Sequence, residues 1–361
     1  MPKSVDIVEN LHNRNIGWGG AQGGILCSNL HEDESNTDYL FTKLCSIENL
    51  FLAWRKFVRG GKRGKVDVMA FERNLETNLF NLQAQLRKGV YQHGPYETFL
   101  VRDPKERVIS KADVRDRIVH QALDNVLKFS FELVFVFDNY ACRLGKGVHK
   151  ASYRLRRMFQ SASRSNTRSV YALKCDVRKF FDSIDHATIL QLVERRVQSP
   201  GLMGLIRHIL SSFEKLPSRG IPLGNVTSQL FANVYLHELD RFVKHELRQK
   251  YYIRYCDDFI ILDHDRGRLI KLIPRLQKFL SEKLKLNLHP RKVSVRSWRQ
   301  GIDFVGYVHK PWATVIRTKT KDRMLQKVNA KNRTSYLGVC KHADTFELRQ
   351  TLYNIAALSG D

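Results

Sequence analysis

The chain has 361 residues, 43% hydrophobic and 10% aromatic, which is enough for a large core in two or three subdomains and excludes a disordered tail. Its formal charge is 61 − 36 = +25, and residues 1–38 hold two basic and six acidic side chains, so the remainder carries 25 + 4 = +29. Such a basic body calls for a polyanion, nucleic acid first, while no apolar run is long enough to span a bilayer. Six cysteines without a CxxC pair suit neither a zinc site nor a disulfide framework, and the start lacks a signal-peptide layout. A cytoplasmic protein with free thiols is expected.

In chain order, residues 1–38 form a leader with a glycine cluster around Trp18 and an acidic stretch from His31, expected to be loosely ordered and without an assigned role. Leu44, Ile47, Leu50, Phe51 and Trp54 recur at three and four, predicting a helix from about Tyr39 that the basic turn 59–65 ends. A second helix is predicted from Met69 to Arg87 on the stripe Phe71, Leu75, Leu79, Leu82 and Leu86. The chain then turns strand-like from Glu97 to Val101 and on through Arg102 to Ser110, two strands joined by a turn that bears Lys105 and Arg107. Lys105 and Arg107 on that hairpin are candidates to clamp a triphosphate, since cations there offset charge growing on the transferred group; otherwise the hairpin is a solvated basic turn. A helix of alternating charge begins at Asp113. The loop 139–149 then carries Arg143, Lys146 and two glycines, a composition that lets backbone approach phosphates closely.

At Tyr171 an apolar strand runs into Asp176, with a helix expected within a turn or two. Gly220 to Leu236 reads as a glycine turn entering an apolar helix. Tyr251 to Tyr255 and Phe259 to Leu262 are rich in β-branched and aromatic residues, so Asp257 and Asp258 fall at a hairpin turn. Alone, an Asp-Asp turn is a surface feature, and Asp176 alone is a helix N-cap. Together, one acid at a strand end and an acid pair on a hairpin can converge on two hard cations, the arrangement that activates a 3′-hydroxyl and stabilises a leaving pyrophosphate. From Thr318 to Arg333 six cations accompany one acid, with Met324, Leu325 and Val328 facing inward, predicting a basic helix able to track phosphates.

Tyr171 to Asp185 and Tyr255 to Leu262 resemble motifs A and C of the reverse transcriptases. The segments from Tyr96 to His149 resemble their finger motifs, Gly220 to Leu236 motif B, Leu284 to Val293 motif D, and Gly301 to Tyr307 motif E. Most members carry glutamine before the motif B glycine and proline after its serine. Here these positions are Leu223 and Gln229, flanking Gly224 and Ser228, a departure similar to the reverse transcriptases of diversity-generating retroelements. Tyr140-Ala141-Cys142-Arg143 and Ser335-Tyr336-Leu337-Gly338 look like that group too, and the resemblance runs from about residue 39 to 357.

What this resemblance implies is an α+β right-hand polymerase fold. Its parts would be a helical N-terminal segment over 39–95, fingers over 96–170, and a palm over 171–310 with part of the fingers inserted between motifs A and B. A short basic thumb over 311–361 would complete it. Asp176, Asp257 and Asp258, with the Val177 carbonyl, would hold two Mg2+ ions, Mn2+ being a possible substitute. Lys292 would be the general acid for pyrophosphate, with Arg291 next to it as a one-place alternative. Phe181 would exclude a 2′-hydroxyl; Lys105, Arg107, Arg143, Leu223, Gly224 and Gln229 would line the nucleotide site. The substrates would be a template RNA, a cDNA or primer strand, and deoxynucleoside triphosphates. Adenine-biased errors, a small basic oligomeric accessory variability protein, and a bacterial, archaeal or phage origin would follow from the subgroup. The residues after Tyr307 are expected to form a thumb and leave no room for a nuclease domain. A retron-like or antiphage-defence enzyme is the alternative, and a non-catalytic RNA-binding protein on this scaffold is the rival that three intact carboxylates disfavour.

Overall fold

The structure is a computed structural model and describes residues 38–102 and 106–358. The leader through residue 37, and Lys105 with its expected triphosphate contact, lie outside the described residues.

The first predicted helix is two, α1 (Tyr39–Leu44) and α2 (Ile47–Phe57), because Ser46 breaks the run and its side chain accepts from Asn49 N, capping α2. The second is likewise divided into α3 (Val66–Arg73) and α4 (Leu75–Arg87). Asn74 leaves helical geometry between them, and Asn78 Nδ2 donates to the Phe71 carbonyl. The hydrophobic stripe runs through both breaks, so periodicity alone concealed them. Strands β1 (Glu97–Val101) and β2 (Arg107–Lys111) form an antiparallel hairpin from Glu97↔Lys111 to Val101↔Arg107. Both strands are largely exposed, and an isolated hairpin is marginal in water. Its base is tied down by Lys111 Nζ, 3.0 Å from both Glu97 and Asp67, and by Arg117, which also binds Asp67.

Asp113 caps the long helix α5 (Val114–Glu132), whose buried face includes Ile118, Val119, Ala122 and Leu123. Helix α6 (Val148–Ala162) follows the glycine loop, then β3 (Tyr171–Asp176), the single-turn α7 (Phe180–Ser183), α8 (His186–Glu194), α9 (Pro200–Ser211) and α10 (Val226–Arg241). Next come β4 (Tyr251–Tyr255), β5 (Asp258–Asp263), α11 (Arg266–Leu284) and β6 (Ser294–Ser297). These four strands make an antiparallel sheet of order β4-β5-β3-β6.

Strand alternation explains what covers each face of the sheet. Leu173, Cys175, Tyr252, Phe259 and Ile261 join the core built with α10 and α11, while Ala172, Ile253, Ile260 and Leu262 pack on Leu155, Met158 and Phe159 of α6. On that second face the residues that follow Ala172 at intervals of two are Lys174 and Asp176. The apolar cover ends there and a polar cleft begins.

After the sheet, β7 (Ile302–Phe304), β8 (Tyr307–His309) and β9 (Thr314–Ile316) form a three-stranded antiparallel sheet. Helices α12 (Thr318–Lys327), α13 (Arg333–Cys340) and α14 (Phe346–Leu358) pack against it around Tyr307, Met324, Val328 and Leu352. The helix predicted from Thr318 to Arg333 therefore stops at Lys327. Asn332 Nδ2 donates to the Lys327 carbonyl and Asn332 Oδ1 accepts from Asn329 N, a side-chain turn that competes with helix continuation.

Two buried histidines give this fold a pH dependence. His120 lies 2.6 Å from Thr227 Oγ1 and 3.1 Å from His93 Nε2, and burial pulls it down to about 3 from an ordinary 6.5. Burial likewise lowers His309 to about 4. Both stay neutral in the fold while the unfolded chain takes up protons near 6.5, so their contribution is fully present above 6.5 and lost as pH falls. Stability should drop by about 1.4 kcal/mol per pH unit for each histidine across roughly pH 6 to 4. Urea titrations at pH 7.0, 5.5 and 4.5 check this, and His120→Gln should make the slope shallower; an unchanged slope would contradict the assignment.

Candidate active site

The loop between β4 and β5 has two residues, Cys256 and Asp257, with Tyr255 paired to Asp258. Cys256 sits at φ +57°, the positive value that two-residue hairpin turns need to match strand twist. Asp258 opens β5 and pairs across the sheet with Asp176 at the end of β3. Asp176, Asp257 and Asp258 thus meet at one end of the central strands, as the strand-end and hairpin pattern predicted.

The electrostatics there favour a cation. Burial raises Asp257 above the usual carboxylate range, and repulsion from Asp176 adds to it. Burial raises Asp258 to about 6, with Lys174 pulling the other way. Lys292 Nζ donates to both carboxylate oxygens of Asp176, at 2.8 and 3.0 Å, while Lys174 Nζ lies 3.0 Å from Asp258 Oδ2. Two ammonium groups therefore hold two of the acids. Among the described residues no three His, Cys, Asp or Glu side chains stand close enough together to hold a metal. The donor set still suits a hard divalent ion: it is all carboxylate, and Asp258 Oδ1 is buried without a partner. Val177 bridges to Leu288 through His289 N to Asp176 O and Arg178 N to Asn287 O, and its own carbonyl takes no part in that bridge. Asp176, Asp258 and the two lysines open onto a cavity of 370 Å³ that Arg291 and Arg317 also line. Of the two neighbours, Lys292 is the one on Asp176, while Arg291 N donates to His289 Nδ1.

A buried charge network stands behind the hairpin. Arg254 is fully buried, and its Nε and Nη2 donate to the Asp240 oxygens on α10 at 2.7 and 2.6 Å. Tyr252 Oη donates to Asp240 Oδ1 at 2.6 Å. Arg254 Nη1 donates to the Cys256 carbonyl at 2.9 Å, so the turn that carries Asp257 hangs on this guanidinium. The backbone of Arg254 pairs with the 138–140 segment, and Asn139 and Asn233 join side chains across to α10.

The turn ahead of α10 is zipped to the β1–β2 hairpin. Ser110 N donates to the Leu223 carbonyl at 3.0 Å and Asn225 Nδ2 donates to Ser110 O at 3.3 Å. Gly224 is at φ +119°, and a Cβ there would meet Ile109 Cγ2 at 2.9 Å, so both conformation and space require glycine. Leu223 is half-buried, while Gln229 and Arg107 are exposed. Phe180 fills the core at 2% exposure, and Phe181, edge-on to it at 5.3 Å, is half-buried. Arg143 behaves differently from the expectation. Its side chain is 7% exposed and donates to Glu132 and to the Val136 and Asn139 carbonyls, so in this conformation it builds the loop and offers little to a triphosphate.

Sequence reasoning missed Lys174 and Arg254. Lys174 was detectable in principle, being two residues before Asp176 and hence on the same strand face. Arg254 carried no signal beyond an arginine among strand residues, because its partner arrives from another element.

The family model described as "Reverse transcriptase (RNA-dependent DNA polymerase)" matches residues 102–309, more than half of the chain. Protein YkfC of Escherichia coli strain K12 is 24% identical over 283 residues, covering 67% of this chain and 74% of its own. The group II intron-encoded protein LtrA of Lactococcus lactis subsp. cremoris is 26% identical over 186 residues, covering 49% of this chain and 30% of LtrA. This chain thus spans about a third of LtrA's length. Among solved structures, apo telomerase from Candida Tropicalis truncated from the C-terminal domain superposes with a TM-score of 0.48 at 11% identity, covering 65% of this chain and 59% of that one.

Proposed function

This chain belongs to the reverse transcriptase (RNA-dependent DNA polymerase) family, and we propose that it copies a template-repeat RNA into cDNA with errors biased to adenine. The observation that carries the polymerase half is the set of three acids at the β3 end and the β4–β5 turn, inside the segment the family model covers. Asp176, Asp257 and Asp258, with the Val177 carbonyl, would hold two Mg2+ or Mn2+ ions, which would supply acidification of the primer 3′-hydroxyl and charge neutralisation at the leaving pyrophosphate. Lys292, whose ammonium stands at Asp176 on the edge of the cleft, would be the proton donor for pyrophosphate. Phe181 packs against the incoming sugar and leaves no room for a 2′-hydroxyl. Arg107 reaches the triphosphate from the hairpin; the palm is the four-stranded sheet, and the last three helices are the thumb that follows the primer–template duplex. A small basic accessory protein, oligomeric, supplies further RNA contacts.

The adenine bias rests on Leu223 and Gln229 in the turn before and first turns of α10. Where related polymerases have glutamine, an amide hydrogen-bonds near the incoming nucleotide; Leu223 offers apolar contact only, so a mispair forfeits less. A placed hydrogen-bonding group discriminates by roughly 10⁴-fold against about 10²-fold for an apolar fit. Leu223→Gln is therefore expected to keep extension and lower misincorporation opposite template adenine more than opposite the other bases. Deep sequencing of cDNA made by both proteins on one RNA reads this out. An equal fall at all four bases, or none, would remove Leu223 from the fidelity argument, and a faithful parent copy of a structured RNA would favour the retron-like alternative.

A further inference from the structure

The end of the palm sheet away from the acids carries a second concentration of positive charge. A cavity of 540 Å³ opens where β5 ends and α11 begins, about 17 Å along the strand from Asp258. Arg168, Arg248, Lys250, Arg268, Lys271 and Arg275 line it, all exposed, and among the described residues Asp263 is the one lining carboxylate, a surplus of 6 − 1 = 5 positive charges. Asp263 is half-committed to His264, 3.0 Å away, and stands 4.0 Å from Arg268.

Three features of the chain make this a built surface. Arg268, Lys271 and Arg275 fall at i, i+3 and i+7 on α11, hence on one face, in a row about 10 Å long. They occupy the N-terminal half of a 19-residue helix whose one acid at that end, Asp265, is taken up by capping Gly267 N and Arg268 N. Opposite them, Lys244 Nζ donates to the Gln249 and Lys250 carbonyls, at 3.2 and 3.0 Å, folding the 248–250 turn so that Arg248 and Lys250 face the same cavity. Six cations facing one lining carboxylate are stabilised by an external polyanion.

We infer that this face is a second RNA-binding surface, which takes the phosphates of a structured part of the template RNA outside the active-site cleft. The anion chemistry stands on these residues; that the polyanion is RNA rests on the function proposed above. The surface anchors the template, and the active site copies a different segment of the same molecule.

The test uses the full chain and three probes, a 20-base-pair RNA/DNA primer–template hybrid, a structured RNA of about 150 nucleotides and polyglutamate, at several salt concentrations. The variant R268Q/K271Q/R275Q keeps helix-forming side chains on an exposed face, and R248Q/K250Q tests the opposite wall. Each is expected to bind and extend the short hybrid within about twofold of the parent. Each should bind the long RNA at least tenfold more weakly at 150 mM salt, its log–log salt slope reduced by about two units. Unchanged affinity and slope for the long RNA overturn the inference, and so does an equal loss on both nucleic-acid probes, which would be general charge. Loss of polyglutamate binding with long-RNA binding retained would assign the face to an acidic protein and also overturn it. Absence of extension by the parent protein would fall on the proposed function alone, because the binding measurements remain readable.

Discussion

Asp257→Ala is expected to reduce primer extension by about 10³-fold or more in Mg2+ while RNA binding stays within a few-fold of the parent. Asp257 is held at the tip of the β4–β5 turn, where burial and the nearby Asp176 both disfavour its charge. A fold tolerates this when the charge has a use, and the use proposed above is metal ligation. Removing the carboxylate relieves repulsion, so the variant should melt at the same temperature as the parent or slightly higher. That outcome separates loss of chemistry from loss of structure. Binding survives because the phosphate contacts come from the chain's many cations. Normal extension by this variant in Mg2+, measured with purified protein, primer and RNA and with the proposed accessory partner supplied, would sink the proposed two-ion assignment.

Arg254→Leu should be the most destabilising single change near the site. It leaves Asp240 fully buried with Tyr252 Oη as its remaining donor among the described residues and takes the hydrogen bond from the Cys256 carbonyl. Breaking a buried ion pair from one side costs about 3–5 kcal/mol, because an uncompensated charge remains in the core. Replacing both partners, Arg254→Leu with Asp240→Leu, should recover most of that stability in urea titrations, since two apolar groups replace two desolvated charges. Extension should not recover with it: the turn bearing Asp257 still lacks its donor, so kcat stays low while KM for the nucleotide changes little. If the double variant extends at the parent rate, the network is structural and Arg254 has no positioning role. Arg254→Lys is an informative intermediate, because a single ammonium cannot serve both Asp240 oxygens and the Cys256 carbonyl with the geometry of the guanidinium fork.

The site was legible in the sequence to the extent that its chemistry is local. The strand running into Asp176, the two-residue turn at Cys256-Asp257 and the glycine turn at Gly224 are set by alternation, by β-branched flanks and by a positive φ, all properties of short windows. The breaks at Ser46, Asn74 and Asn329 escaped because a capping side chain interrupts a helix without disturbing its hydrophobic stripe.

By itself the sequence determined which residues are acidic, where strands end and which faces are apolar, because periodicity and turn chemistry act over a few residues. Only the tertiary structure decided what those residues meet. Lys292 comes to Asp176 across 116 positions, Arg254 finds Asp240 on a helix, and Arg143 turns inward to Glu132 where a free cation was expected. Charges act through space, and the distances that decide between a ligand, a counter-ion and a buried strut exist once strands and helices have packed.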